Sequence, residues 1–216
     1  MKSAILFTKF ILLLLLIPGF LGAQDIQSSL TDAIRNNDVD AVKLALDNGA
    51  GPNILSSFGA TPLIQAAWTG NMEIIKLLVA KGADLNLTTK EFGCPLFAAA
   101  AQGRMEPAKY FIANKADLNC QDKNGKTPLM IAIYNGHPDV AKLLINDGAD
   151  VNVIGEADWT ALFFATMRND TESLKKLIEA GAHVNIKAND GETPLHLATE
   201  QGYDEAVDLL KKAGAK

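Results

Sequence analysis

The triplet Thr127-Pro128-Leu129 returns along the chain at one fixed interval, and this strict period limits the chain to very few folds. Thr61-Pro62-Leu63 and Thr193-Pro194-Leu195 repeat it outright. Cys94-Pro95-Leu96 and Thr160-Ala161-Leu162 fill the intervening beats, and Ser28-Ser29-Leu30 opens the series. Gly49, Gly82, Gly148, Gly181 and Gly214 keep the same spacing, each followed by Ala, with Lys115-Ala116 as the one departure. An Asn follows at Asn53, Asn86, Asn119, Asn152 and Asn185. Self-similarity at a fixed period of about 20–50 residues is the signature of stacked supersecondary units. The units run near 28–60, 61–93, 94–126, 127–159, 160–192 and 193–216.

Each unit reads as two antiparallel helices and a loop. Thr127 suits an N-cap, and Pro128 suits the first helical position, where a missing N–H costs nothing. Asn135-Gly136 ends that helix. A second begins near Pro138, carries Val140, Ala141, Leu143 and Leu144 on one face, and stops at Gly148. Helices this short are unstable alone, so each must bury its apolar face on a neighbouring unit. The expected core columns are Leu63, Ala66, Ala67, Leu77 and Leu78, then Leu96, Ala99, Ala100, Tyr110 and Phe111. They continue as Leu129, Ala132, Ile133, Leu143 and Leu144, then Leu162, Ala165, Leu174 and Leu177, then Leu195, Ala198, Leu209 and Leu210. Phe97, Met130 and Phe163 share the column of His196 and also read as core. The third unit is expected to be the weakest, because Pro107 falls in its second helix and Lys115 stands where glycine caps the others.

The first and last units carry more charge, as the ends of a stacked array must, and the chain reads as a self-sufficient array with no separate catalytic domain. Residues 1–23 read as a secretory signal peptide: Lys2 and Lys9, the apolar run Phe10–Ile17, the break Pro18-Gly19, and Ala23 before a cut that leaves Gln24 first. The rival reading is an uncleaved anchor, but the stretch Phe10–Ala23 falls short of the ~20 residues needed to span a bilayer. Residues 24–216, the expected mature domain, hold 18 Lys+Arg against 25 Asp+Glu, a net charge of −7. That balance disfavours nucleic acid and, after cleavage, a membrane as partners, since both attract basic surfaces. A local basic patch is not visible in the sequence.

Little points to catalysis. The chain has no nucleophile elbow, phosphate-binding glycine loop, HExxH or CxxC, and no pair of its three histidines has ligand spacing. No catalytic residue, metal ligand or cofactor is expected. A hydrolase or redox enzyme with an unrecognised site is the alternative from another class.

The motifs Thr193-Pro194-Leu195-His196, Gly136-His137 and Gly148-Ala149-Asp150-Val151-Asn152 resemble the ankyrin repeat family over residues 28–216. The resemblance implies an all-α solenoid of helix-turn-helix units with β-hairpin loops. It implies that His196 hydrogen-bonds within and between repeats, together with Thr193. It implies that Cys94 and Cys120 lie on neighbouring hairpins, either as separate buried thiols or as a disulfide, which export would permit. A bridge would close the segment from Cys94 to Cys120, the third unit almost entire. In this family, recognition generally uses the concave side, formed by hairpin tips and the ends of the first helices. Carried onto this register, that surface includes Phe58, Trp68, Lys126, Tyr134, Trp159, Met167 and Arg168, a set rich in the residue types of binding hot spots. The implied function is an exported, monomeric, cofactor-free scaffold that holds another protein, either periplasmic or secreted. A secreted effector or host-interaction factor is the alternative within the same class. The register itself is testable: Leu144→Ala is expected to destabilise the fold by about 2–5 kcal/mol, and an unchanged thermal midpoint would contradict it.

Overall fold

The computed structural model describes residues 23–216. The expected signal peptide, apart from its last residue, lies outside the described residues. Within the described residues, α-helices follow one another in six pairs: α1 Ala23–Arg35 and α2 Val39–Asp47, α3 Pro62–Thr69 and α4 Met72–Ala80, α5 Pro95–Ala101 and α6 Met105–Ala113. The rest are α7 Pro128–Asn135 and α8 Pro138–Asn146, α9 Ala161–Met167 and α10 Thr171–Glu179, α11 Pro194–Glu200 and α12 Asp204–Lys212.

The caps explain why the helices start where they do. Thr61, Thr127 and Thr193 are extended, and each hydroxyl accepts from the N–H three residues on, at 3.1, 3.3 and 3.2 Å. Proline fills the first helical position at all three. Pro107 lies in the first turn of α6, where no helical bond is lost. Gly136 closes α7 at φ +77°, which suits a residue without a Cβ. Lys115 adopts a comparable φ of +65° with a side chain, a local strain in the third unit. The first unit departs from the expected register. Ser28 and Ser29 lie inside α1, which begins at Ala23 rather than beside them, and the Ser29 hydroxyl donates back to the Asp25 carbonyl.

The first helices pack closely in order, α1, α3, α5, α7, α9 and α11, while the second helices stand further apart, clearly so over the first four units and only slightly beyond them. Side-chain size accounts for this. Ala66, Ala67, Ala98, Ala99, Ala100, Ala132, Ala165 and Ala198 are all fully buried between first helices. The second helices meet through the larger Ile74, Ile75, Leu78, Phe111, Leu144 and Leu174. A stack that is narrow on one side and wide on the other curves toward its narrow side, so the first helices line a concave face. Phe97, Met130 and Phe163 are buried, in the column assigned to them.

The asparagine that closes each unit ties it to the next. Asn53, Asn86, Asn119 and Asn152 accept, through Oδ1, from the backbone N–H of Asp84, Asp117, Asp150 and His183 respectively, at 2.8–2.9 Å. Asn185 does the same for Lys216. The preceding aspartate arranges the turn: Asp84, Asp117 and Asp150 each accept from the N–H of the asparagine two residues on. His183 replaces that aspartate without breaking the ladder, because the ladder needs only its backbone N–H.

The loops are tighter than full β-hairpins. Each is closed by backbone bonding between its two ends, Ser56 to Ala60, Thr89 to Gly93, Asp122 to Lys126, Gly155 to Trp159 and Ala188 to Glu192. Only the Thr89–Gly93 pair, bonded in both directions, forms an antiparallel bridge among the described residues. Arms this short leave no room for a ladder. The tips instead bond sideways, Lys123 N–H to Lys90 carbonyl and Glu156 N–H to Asn124 carbonyl, both at 2.7 Å. Phe92 takes the place of the tip glycine, and the left-handed residue moves one position on, to Gly93.

Cys94 and Cys120 form a disulfide, with Cα atoms 6.3 Å apart, and both residues are buried. Cys94 precedes α5 at the position where Thr61, Thr127 and Thr193 cap α3, α7 and α11, and makes no side-chain cap bond. The bridge fastens the two ends of the third unit, whose turn holds Lys115 at positive φ. Closing a loop of this length contributes about 3 kcal/mol by the chain-entropy account. Thiol titration of the denatured, unreduced protein is therefore expected to find no free thiol, and reduction is expected to lower the thermal midpoint. Two titratable thiols would contradict the bridge.

Candidate functional site

The concave face starts from the ends of the first helices. Arg35, Trp68, Ala101, Tyr134, Met167 and Glu200 share one column, each a full period from the last, and so recur at the same point of each unit. Trp68 is 44% exposed and Tyr134 41%, large values for aromatics on helices whose other apolar residues are mostly buried. Phe58, at the first loop, is 46% exposed. Isolated exposed aromatics need no explanation, but several on one face mark a surface meant to be covered.

Phe58 and Trp68 line one apolar groove of about 220 Å³, walled by Ile34, Ile64 and Phe92, with Arg35 beside them. Phe58 meets Phe92 edge-to-face at 6.4 Å between centroids, and the Arg35 guanidinium stands 6.0 Å from the Phe58 ring. Gln65 belongs to the same wall, and its Nε2 is a buried side-chain polar atom without a hydrogen-bond partner. Native structures leave few such atoms unsatisfied.

A second aromatic cluster lies further along the stack, around the fourth unit. The Lys126 ammonium sits 4.7 Å from the Tyr134 centroid and 5.7 Å from that of Phe164. Tyr134 meets Phe164 edge-to-face at 5.7 Å. Trp159 is only half-exposed, since it stacks on Phe163 at 5.5 Å and meets Phe164 at 5.3 Å. Met167 is also half-buried. Of the seven residues assigned to this surface from sequence, Phe58, Trp68, Tyr134 and Arg168 are exposed, while Lys126, Trp159 and Met167 are partly packed. The seven fall into two groups, one around the Phe58–Trp68 groove and one around Tyr134.

Between the groups runs a device that the motifs did not reveal. Arg104 Nε donates to the Trp68 carbonyl at 3.2 Å, His137 Nε2 lies 3.2 Å from the Ala101 carbonyl, and Arg168 Nη1 donates to the Tyr134 carbonyl at 2.9 Å. Each group thus occupies the C-terminal end of the preceding unit's first helix, where carbonyls lack helical partners and the dipole favours positive charge. Glycine makes the seat. A Cβ added at Gly70, Gly103 or Gly136 would fall 2.9 Å or less from the side chain of Arg104, His137 or Arg168 respectively.

His196 does not do what the motif implies. Its imidazole is exposed and makes no hydrogen bond among the described residues; only its backbone N–H is used, donating to the Thr193 hydroxyl. The residues of its column in earlier units are buried, and among the described residues no further first helix covers α11. The imidazole lies between Glu192 at 3.7 Å and Glu200 at 3.6 Å, one carboxylate at each ring nitrogen. Among the described residues this is the one group of three side chains with metal-ligand atoms close together. One ligand atom from each of the three lies within 4.8 Å of the others, and His196 and Glu200 are exposed.

The perturbed titrations belong elsewhere, to exposed ion pairs. The Lys81 hydrogen bond and charge hold the Asp47 carboxyl below its ordinary value, and Glu172 acts on Lys142 in the opposite sense, raising it. Both pairs link successive second helices on the outer side and contribute little at full exposure.

Among the described residues, no helix is long and apolar enough to cross a membrane. The sequence profile described as ankyrin repeats (3 copies) matches residues 4–89, 88–155 and 153–216, nearly the whole chain. A crystal structure of an ankyrin repeat domain from Acinetobacter baumannii AYE is similar, with 32% sequence identity and a TM-score of 0.78. The similarity covers 87% of this chain and 98% of that one. No curated protein matches the chain.

Proposed function

The chain belongs to the ankyrin repeat family, whose members generally serve as protein-binding scaffolds, and on that premise we propose that it is an exported scaffold holding another protein on its concave face. The observation that carries the reading is the Phe58–Trp68 groove: two exposed aromatics, an apolar floor and an unsatisfied amide on one wall. Aromatic side chains beside a desolvated pocket are the usual anchors of an interface. A partner side chain entering the groove would cover both rings, and its backbone carbonyl would give Gln65 an acceptor. The stiffness of the stack supports the same role, since a preorganised surface loses less entropy on binding.

Export rests on the leader read from residues 1–23 and on the Cys94–Cys120 bridge, which persists in oxidising compartments and is rare in reducing ones. The protein acts as a monomer without a cofactor, in the periplasm or outside the cell.

Two outcomes are expected in the native host. The mature protein begins at Gln24 by N-terminal sequencing. A partner captured by the wild type is reduced at least tenfold by Phe58→Ala combined with Trp68→Ala, while circular dichroism stays native. Full capture by the double variant would remove the groove from the interface.

A further inference from the structure

Residues 24–216 are acidic overall, yet the concave face carries cations that no carboxylate neutralises. Arg104, Lys126 and Arg168 take part in no salt bridge among the described residues. Arg35, at the groove, is paired with Asp32 at 3.2 Å. The other pairs lie away from these helix ends: Lys81–Asp47, Lys109–Glu106, Lys142–Glu172 and Lys176–Glu179 on second helices, and Lys123–Glu91 at the loop tips.

The way these cations are held leaves them available. Arg104 uses Nε, and Arg168 uses one terminal nitrogen, on a backbone carbonyl. A guanidinium has five N–H donors in a planar fork, so most of each fork is unspent, and both residues are exposed. Lys126 rests on the faces of Tyr134 and Phe164 rather than on an anion. Helix ends and rings position the charge, and the remaining N–H groups make no hydrogen bond among the described residues.

We propose that this face binds an extended acidic segment of a partner protein, its carboxylates on Arg104, Arg168 and Lys126 and one apolar side chain in the Phe58–Trp68 groove. The proposal rests on the protein-binding reading and adds the chemistry of the partner. Bidentate carboxylate recognition suits the arginines, and opposite charge across the interface steers association. The groove requires an apolar anchor, which a bare polyanion lacks. The acidic body, at a net −7, disfavours a long nucleic acid while leaving a short segment free to follow the row.

The test uses Trp68 emission in the full mature chain carrying Trp159→Phe. The probes are a synthetic peptide alternating Leu with Asp and Glu, the same peptide with Lys at every acidic position, and single-stranded oligothymidylate. The acidic peptide is expected to shift the emission and to bind at least tenfold more weakly when salt rises from about 50 to about 500 mM, as a screened charged interface must. Arg104→Gln combined with Arg168→Gln is expected to weaken it at least fivefold. If that variant loses its circular dichroism, Lys126→Gln, which leaves the helix ends intact, is expected to weaken binding at least twofold. Equal or tighter binding of the basic peptide overturns the proposal, as does oligothymidylate binding as tightly as the acidic peptide, or no response to any probe. Capture of the native partner separates the two readings. If Phe58→Ala/Trp68→Ala loses that partner and the arginine variant keeps it, protein binding stands and the acidic segment falls.

Discussion

The burial of one helix pair against the next underlies everything else in the molecule. None of the described helices is long enough to persist alone in water, and no unit encloses a core of its own. Leu63, Leu96, Leu129 and Leu162 lie at 0–1% exposure in one core cluster that runs through every unit. Stability in such a stack is close to a sum of internal and nearest-neighbour terms. The asparagine ladder adds direction to this packing. Asn53, Asn86 and Asn119 each reach a fixed backbone N–H one unit on, which pins the rotation of each pair relative to the last.

The same packing generates the site. Alanine between first helices brings their ends together, and glycine after them leaves room for a side chain to lie across each end. Arg104, His137 and Arg168 take those seats. The surface that would contact a partner is therefore built from the devices that hold the stack together. Curvature, helix termination and positive charge arise at one place for connected reasons.

The fold was legible in the sequence because it is written several times. Thr-Pro at the helix starts, alanine on the inner helices and glycine at the ends all recur in phase, and each has a direct steric or hydrogen-bonding cause. The exposed aromatics followed once the register was known. The seats on Gly70, Gly103 and Gly136 did not follow, because their occupants do not share a column. Arg104 and His137 lie one position beyond a full period from their glycines, and Arg168 lies one position short of it, so side-chain reach hides the equivalence. Trp159 was misleading for a related reason: its loop position suggested exposure, but Phe163 and Phe164 behind it offer a surface to stack on. His196 shows the limit of a motif, since a residue can match the pattern while its imidazole stays exposed. The start of α1 was obscured because Ser28-Ser29 imitates a cap in the middle of a helix.

Phase, not local sequence, specifies the structure. The most direct measurement is thermal unfolding of two insertion variants. In one, a second copy of residues 127–159 follows residue 159; in the other, the same copy lacks its last three residues. The in-phase copy is predicted to unfold in a single transition at or above the wild-type midpoint, since it adds one unit and one matched interface. The shortened copy is predicted to unfold at a clearly lower midpoint. Equal midpoints for the two variants would contradict the account.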